Sequence, residues 1–241
     1  MRTGVFLFGG VEMDDAGPDL PVPTDRRYTN EQMWKATEQI IDAACLSDKL
    51  GFDSFWLTEH HFQYEGYEVV PNGILLGAII AERTEQIHIG MAFNIVPQWH
   101  PLRLAEDFAT LHNISGGRGI LGVGRGTVPR EAETLGSQIG SFDNPDQASA
   151  DDFNRKQFDE AMDIIQLALS EELFSYHGEI YDFPPPGIPA GPASFSSGLS
   201  AIIASVVTSK PAIEAASCKA VLTTFTGSII PFSNISQYSS F

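Results

Sequence analysis

Short apolar runs alternate with stretches of helical spacing through the first 126 residues. Residues 5–8 form an apolar run closed by Gly9 and Gly10, which reads as a strand and its exit. Residues 12–27 are polar and rich in Pro and Asp, a loop long enough to have a function of its own. Thr29 with Gln32 three residues on is a capping-box pattern, and Met33, Thr37, Ile40, Ile41 and Ala44 carry a helix to its stop at Gly51. Residues 52–58 predict the second strand. Pro71 and Asn72 open a helix that runs through Glu82. Residues 86–96 predict a third strand, stopped by Pro97. Pro101 stands at a helix start, with Leu102, Ala105, Phe108, Leu111 and His112 on that helix until Gly116, Gly117 and Gly119 break it. Residues 120–123 predict a fourth strand, running into Gly124, Arg125 and Gly126.

Strands and helices alternating at this pace predict repeated βα units on a parallel sheet, either doubly wound or closed into a barrel. Residues 143–152 read as an acidic loop. Asp151 or Asp152 then caps a long helix with Phe158, Ala161, Ile164, Ile165, Ala168 and Leu169 in one stripe. Residues 179–183 suggest an excursion strand. Beyond residue 184 the only charges are Lys210, Glu214 and Lys219. Residues 201–207 and 220–225 still read as strands, but the recognisable βα units stop near six. The expectation is one domain over residues 1–241, with 185–241 atypical: an altered terminus or, second, an apolar surface for a partner subunit.

Composition narrows the function. Hydrophobic residues make up 43% of the chain, enough for a core, and the net charge is −17, from 14 basic and 31 acidic residues. That balance disfavours nucleic acid or an anionic membrane as partner, since phosphate surfaces need clustered Lys and Arg. Cys45 and Cys218 make no disulfide framework and have no zinc-type spacing, and Cys45 reads as a small buried hydrophobe. No signal-peptide pattern and no apolar run of about 20 residues is present. These features predict a soluble, cytoplasmic protein.

The candidate chemistry lies at strand ends. The run Phe55-Trp56-Leu57 ends in Glu59, His60 and His61, three titratable groups that are costly to bury without partners. Neighbours on extended chain point to opposite sides, so one of the two histidines is expected to face a cleft and the other to support it. A metal site of Glu59, His60 and His100 is the weaker alternative, because no i, i+4 helical pair exists. Residues 122–126, Gly-Val-Gly-Arg-Gly, end the fourth strand. Glycines there let backbone amides approach an anion, and Arg125 supplies a donor fork suited to phosphate. The dinucleotide fingerprint is absent, because Thr127, Val128 and Pro129 follow. Asn94 is able to donate and accept at a heterocycle edge, and His100 before Pro101 is a candidate helix-entry cap.

Taken together, these segments resemble the bacterial luciferase-like family of flavin-dependent monooxygenases. The resemblance rests on residues 51–62 and on residues 90–101 with their terminal His-Pro. It continues through Leu104-Ala105-Glu106-Asp107, Ser115-Gly116-Gly117-Arg118 and residues 122–126. Order and spacing agree over residues 1–183, and residues 208–216 are similar to the family's later phosphate turn and helix. The resemblance implies a TIM-type (β/α) barrel with reduced FMN at its C-terminal mouth, here incomplete or irregular at the C-terminal end. It implies a monooxygenase that uses FMN, supplied by a flavin reductase, and O2 to oxygenate a small organic substrate through a flavin hydroperoxide. A homo- or heterodimer goes with it. The alternatives are a non-catalytic flavin-binding protein or an oxidoreductase using F420. By the same resemblance His60 is catalytic, with Glu59 and His61 beside it, and an imidazole of near-neutral pKa suits that proton transfer. Arg125, flanked by Gly124 and Gly126, holds the FMN phosphate, and Thr208 and Ser209 donate hydroxyls to it. Ala92 and Phe93, followed by Asn94, stand where family members carry a non-proline cis peptide beneath the flavin. No metal is implied. The loops at 12–28, 63–70 and 127–152 are expected to set specificity.

Overall fold

A computed structural model describes residues 2–12, 27–63, 65–66, 68–139, 147–171 and 174–184, together with the backbone of two short strands at 222–224 and 228–230. Strand β1 (Gly4–Leu7) leads to helix α1 (Asn30–Lys49), β2 (Ser54–Leu57), α2 (Gly73–Arg83), β3 (His88–Met91) and β4 (Asn94–Ile95). A short 3₁₀ turn at Val96–Gln98 precedes α3 (Pro101–Ile114), β5 (Gly119–Ile120), β6 (Val123–Gly124), α4 (Pro129–Leu135) and α5 (Gln147–Ser170). Strands β7 (Tyr176–His177) and β8 (Asp182–Phe183) pair antiparallel, as do the backbone strands β9 (Leu222–Thr224) and β10 (Ser228–Ile230).

The caps expected from sequence start the helices. Thr29 and Gln32 exchange the two bonds of a capping box, and the Asn72 side chain accepts from the Leu75 amide. Pro101 opens α3, but the His100 side chain makes no cap bond there. Its ring packs instead near Tyr181 and Phe183, and burial, with Arg103 adding to it, lowers its pKa.

Strands β1, β2, β3 and β5 pair in parallel in that order, each beside the strand before it, as in a barrel wall and without the reversal of a doubly wound sheet. The third and fourth strands are each interrupted. A cis peptide joins Ala92 to Phe93, as the resemblance implies, and β4 resumes beyond it beside β6. The close approach there requires glycine: a Cβ on Gly122 would stand 1.8 Å from the Met91 carbonyl oxygen. The glycine-rich run therefore has a packing role of its own.

Phe55, Ile89, Met91, Ile80, Leu104, Leu111 and Ile165 are core side chains, filling the space between the sheet and its helices. Cys45 is half-buried against that core, and Cys218 lies outside the described residues. The expected loop at 127–152 contains α4, and α5 begins at Gln147, ahead of the expected cap at Asp151 or Asp152. Of the expected late strands, 201–207 lies outside the described residues, and β9 falls within 220–225. No helix among the described residues is long and apolar enough to cross a membrane.

The N-terminal ends of the strands are laced together. Asp48, at the end of α1, accepts from the amides of Glu85, Gln86 and Ile87 at 2.9, 3.0 and 2.7 Å. Partial burial pushes its pKa up, but those three bonds and the charge of Arg118 hold it below the ordinary value. Arg118 donates to the carbonyls of Ser115, Ile87, Ala81 and Thr84 and to the Thr84 hydroxyl, between 2.7 and 3.0 Å. One guanidinium thus closes the end of α2, whose last carbonyls have no helical partners of their own.

Candidate active site at the strand exits

The opposite end of the sheet gathers the titratable residues. The chain leaves β2 at Leu57 and is no longer a strand at 58–63, so Glu59, His60 and His61 fan out. The two rings part, as alternation suggests, but each meets a carboxylate. His60 Nδ1 lies 3.0 Å from Glu131 Oε1, and its Nε2 lies 2.8 Å from Glu68 Oε2. The second approach is a charge contact, since Glu68 Oε2 has no aligned hydrogen-bond partner among the described residues. Glu131 is buried at 2% exposure. Its Oε1 also accepts from the His61 amide at 2.9 Å and from Gln63 Nε2 at 3.2 Å.

His60 is therefore an imidazole between two carboxylates. Glu68 in the first place, with Glu131, raises its pKa to about 8 against the opposing effect of burial. A pKa of about 8 favours the charged ring at neutral pH. The sign of the stability linkage follows. The raised pKa means that the contribution is complete below the ordinary pKa of 6.5 and is lost as pH rises through about 8. Chemical denaturation of the wild type and His60→Gln at about pH 6 and about pH 9 is expected to show their stability difference shrinking by about 1–2 kcal/mol at the higher pH. A difference independent of pH would contradict the clamp.

Glu59 has a separate set of partners. It is 3% exposed, and accepts from Asn94 Nδ2 at 2.6 Å and Trp99 Nε1 at 2.8 Å, with His61 Nε2 at 3.3 Å. These bonds make Glu59 a brace between the ends of β2 and β4. Because Asn94 must donate to a carboxylate, its amide orientation is fixed. Its Oδ1 is left buried without a partner among the described residues, and such acceptors are seldom left unpaired.

Arg125 follows β6. Its Nη1 donates to Asp151 Oδ1 of α5 at 3.0 Å, and its carbonyl accepts from Asn154 Nδ2 at 3.2 Å. A cavity of about 210 Å³ lies beside it, lined by Arg125, Gly126, Thr127, Ile139, Asp151 and Asn154. His60 does not line that cavity, but Glu131 is six residues from Arg125 and grips the ring, so one short segment ties the two centres. Gly124 packs on Phe93, and Gly126 has φ +87, a left-handed backbone that favours glycine. Thr208 and Ser209 lie outside the described residues. Among the described residues no group of three His, Cys, Asp or Glu is arranged to hold a metal, so Glu59, His60 and His100 do not form the alternative site.

Glu68 and Glu131 were not expected from sequence. Glu131 had a readable signal: Pro129 at the first position of a short helix, with Gly136 at its end in the left-handed conformation. Glu68 had none, since it belongs to a loop whose path is set by tertiary packing.

Residues 1–210 match the family model of the luciferase-like monooxygenases. The chain belongs to that family. Within it, this luciferase-like chain is 34% identical over 125 residues to the limonene 1,2-monooxygenase of Rhodococcus erythropolis, covering 52% of this chain and 29% of that protein. Its fold is similar to that of the monooxygenase RslO1 from Streptomyces bottropensis, at TM-score 0.59 and 28% identity over 76% of this chain and 47% of the other. It is also similar to the oxygenating constituent of 3,6-diketocamphane monooxygenase from Pseudomonas putida, solved with FMN. There the TM-score is 0.56 and the identity 26%, covering 76% of this chain and 43% of that one. The chain spans less than two fifths of the length of the curated relatives it matches and under half that of these solved chains.

Proposed function

We propose that this protein is a flavin-dependent monooxygenase that takes up reduced FMN at the C-terminal ends of its strands and oxygenates a small organic substrate with O2. The observation that carries the reading is the His60 imidazolium between Glu68 and Glu131, one short segment from Arg125, in a chain of the luciferase-like family. Closure of the remaining strands into a barrel, and a reductase that delivers the flavin, belong to the same proposal. The diketocamphane relative, described as an oxygenating constituent, supports the second of these. FMN is preferred to the deazaflavin F420 because that relative was solved with FMN.

The residues present fit the group. Arg125 offers a guanidinium to a phosphate on the wall of a cavity that Thr127 also lines. Asn94 Oδ1 offers a buried acceptor beside the cis bond, where a heterocycle N–H would satisfy it. Reduced flavin, when bound, supplies the electrons that activate oxygen. The protein's own contribution is to orient, exclude water and hold a proton. His60 carries that proton: with a pKa near 8 it is an acid at neutral pH, Glu131 holds its Nδ1, and its Nε2 lies against the Glu68 carboxylate. Glu59 holds Asn94 and His61 in place.

Arg125→Ala is expected to weaken FMN binding about 10–100-fold, the loss of a charged hydrogen bond, and to leave riboflavin binding unchanged. Flavin fluorescence titration of both ligands checks this. Equal loss for the two would move the phosphate elsewhere. Tight flavin binding without oxygen-dependent product formation would favour the non-catalytic reading.

A further inference from the structure

The first turns of α5 bring a carboxylate to the place where the phosphate is expected. Asp151 Oδ1 accepts from Arg125 Nη1 and Oδ2 from Arg155 Nη2, both at 3.0 Å. Arg125 and Asp151 line the cavity with Gly126, Thr127 and Asn154, and Arg155 reaches the same carboxylate from its far oxygen. We infer that Asp151 is a built-in competitor for the anion seat of Arg125, that Arg155 is the second cation of that seat, and that both set the affinity for phosphate-bearing flavin. The inference rests on the reading of Arg125 as a phosphate ligand.

Three observations carry it. Side-chain exposures of 35, 40 and 41% for Arg125, Arg155 and Asp151 place the triad at a solvated rim, where ion pairs are weak and exchange readily. The backbone of Arg125 does not depend on the pair: Asn154, 2% exposed, donates to the carbonyls of both Arg125 and Gln138. The seat therefore persists when Asp151 turns away. Two forks already converge on one anion, and a phosphate monoester has more acceptor oxygens and more charge than the carboxylate to offer them. Burial raises the Asp151 pKa, but the hydrogen bond and charge of Arg125, with those of Arg155, bring it below the ordinary value, so the competitor stays ionised.

Calorimetric titration of FMN, riboflavin and inorganic phosphate into wild type, Asp151→Asn, Asp151→Ser, Arg155→Gln and Arg125→Ala tests this. Asp151→Asn and Asp151→Ser are expected to tighten FMN and inorganic phosphate by about 3–10-fold, removing one nearby opposing charge, with riboflavin unchanged. Arg155→Gln is expected to weaken FMN by a similar factor. If both Asp151 variants bind FMN as wild type does, or more weakly, while Arg125→Ala still loses it, the carboxylate merely orients the arginine and the inference is overturned. If Arg125→Ala binds FMN as wild type does, the phosphate reading itself fails, and the inference with it.

Discussion

Replacing His60 by glutamine is expected to lower the rate of oxygen-dependent turnover about 10²–10⁴-fold, while FMN binding changes no more than about threefold. Glutamine keeps a donor near Glu131 but carries no exchangeable charge between Glu131 and Glu68. Stopped-flow oxidation of reduced FMN, alongside a flavin titration, separates the two quantities. The wild-type rate is also expected to fall as pH rises through about 8, where the imidazolium loses its proton, and His60→Gln to lack that limb. A variant that binds flavin poorly yet turns over normally would assign His60 to binding and refute the proton-carrying role.

Gly122→Ala is expected to be the most damaging single methyl in the described structure. The added Cβ falls 1.8 Å from the Met91 carbonyl oxygen and 3.3 Å from the Phe93 ring, so backbone that carries the paired strands must shift to admit it. Overpacking commonly costs about 1–3 kcal/mol and more where backbone is the obstacle. Against a typical stability of about 5–15 kcal/mol, that is a large share. Thermal denaturation of Gly122→Ala beside Gly116→Ala separates the cause. Gly116 has φ +65 and no described atom within 4 Å of its Cβ position, so its variant meets mainly backbone strain. A loss at 122 no larger than that at 116 would show that the close approach is relieved at little cost.

Much of this architecture was legible in the sequence because its signals are local. Thr29 with Gln32, Asn72 and Pro101 announce helix starts through bonds made within one turn. Strand cores follow from apolar runs such as Phe55 to Leu57, and the site's location follows from where those runs end in titratable groups. What escaped depends on distance in the chain. Glu131 reaches His60 across 71 residues, and Glu68 reaches it through a loop with no periodicity. His100 occupies its expected position at the entry of α3, yet its side chain is claimed by aromatic rings from a later hairpin. Helix α4 was hidden because seven residues with three charges carry too weak an amphipathic pattern, although Pro129 and Gly136 mark its ends. The interruption of the third strand was legible only by resemblance, since nothing in the alternation of residues 86–96 breaks at Ala92.

Asp48 and Arg118 tie the strand entries together far from the histidines, and no residue of that lacing reaches the exits. The molecule therefore separates what keeps it whole from what gives it a trade. A change of side chains at the rim leaves the bonds that hold the floor untouched. Such a division gives one scaffold the latitude to serve many chemistries.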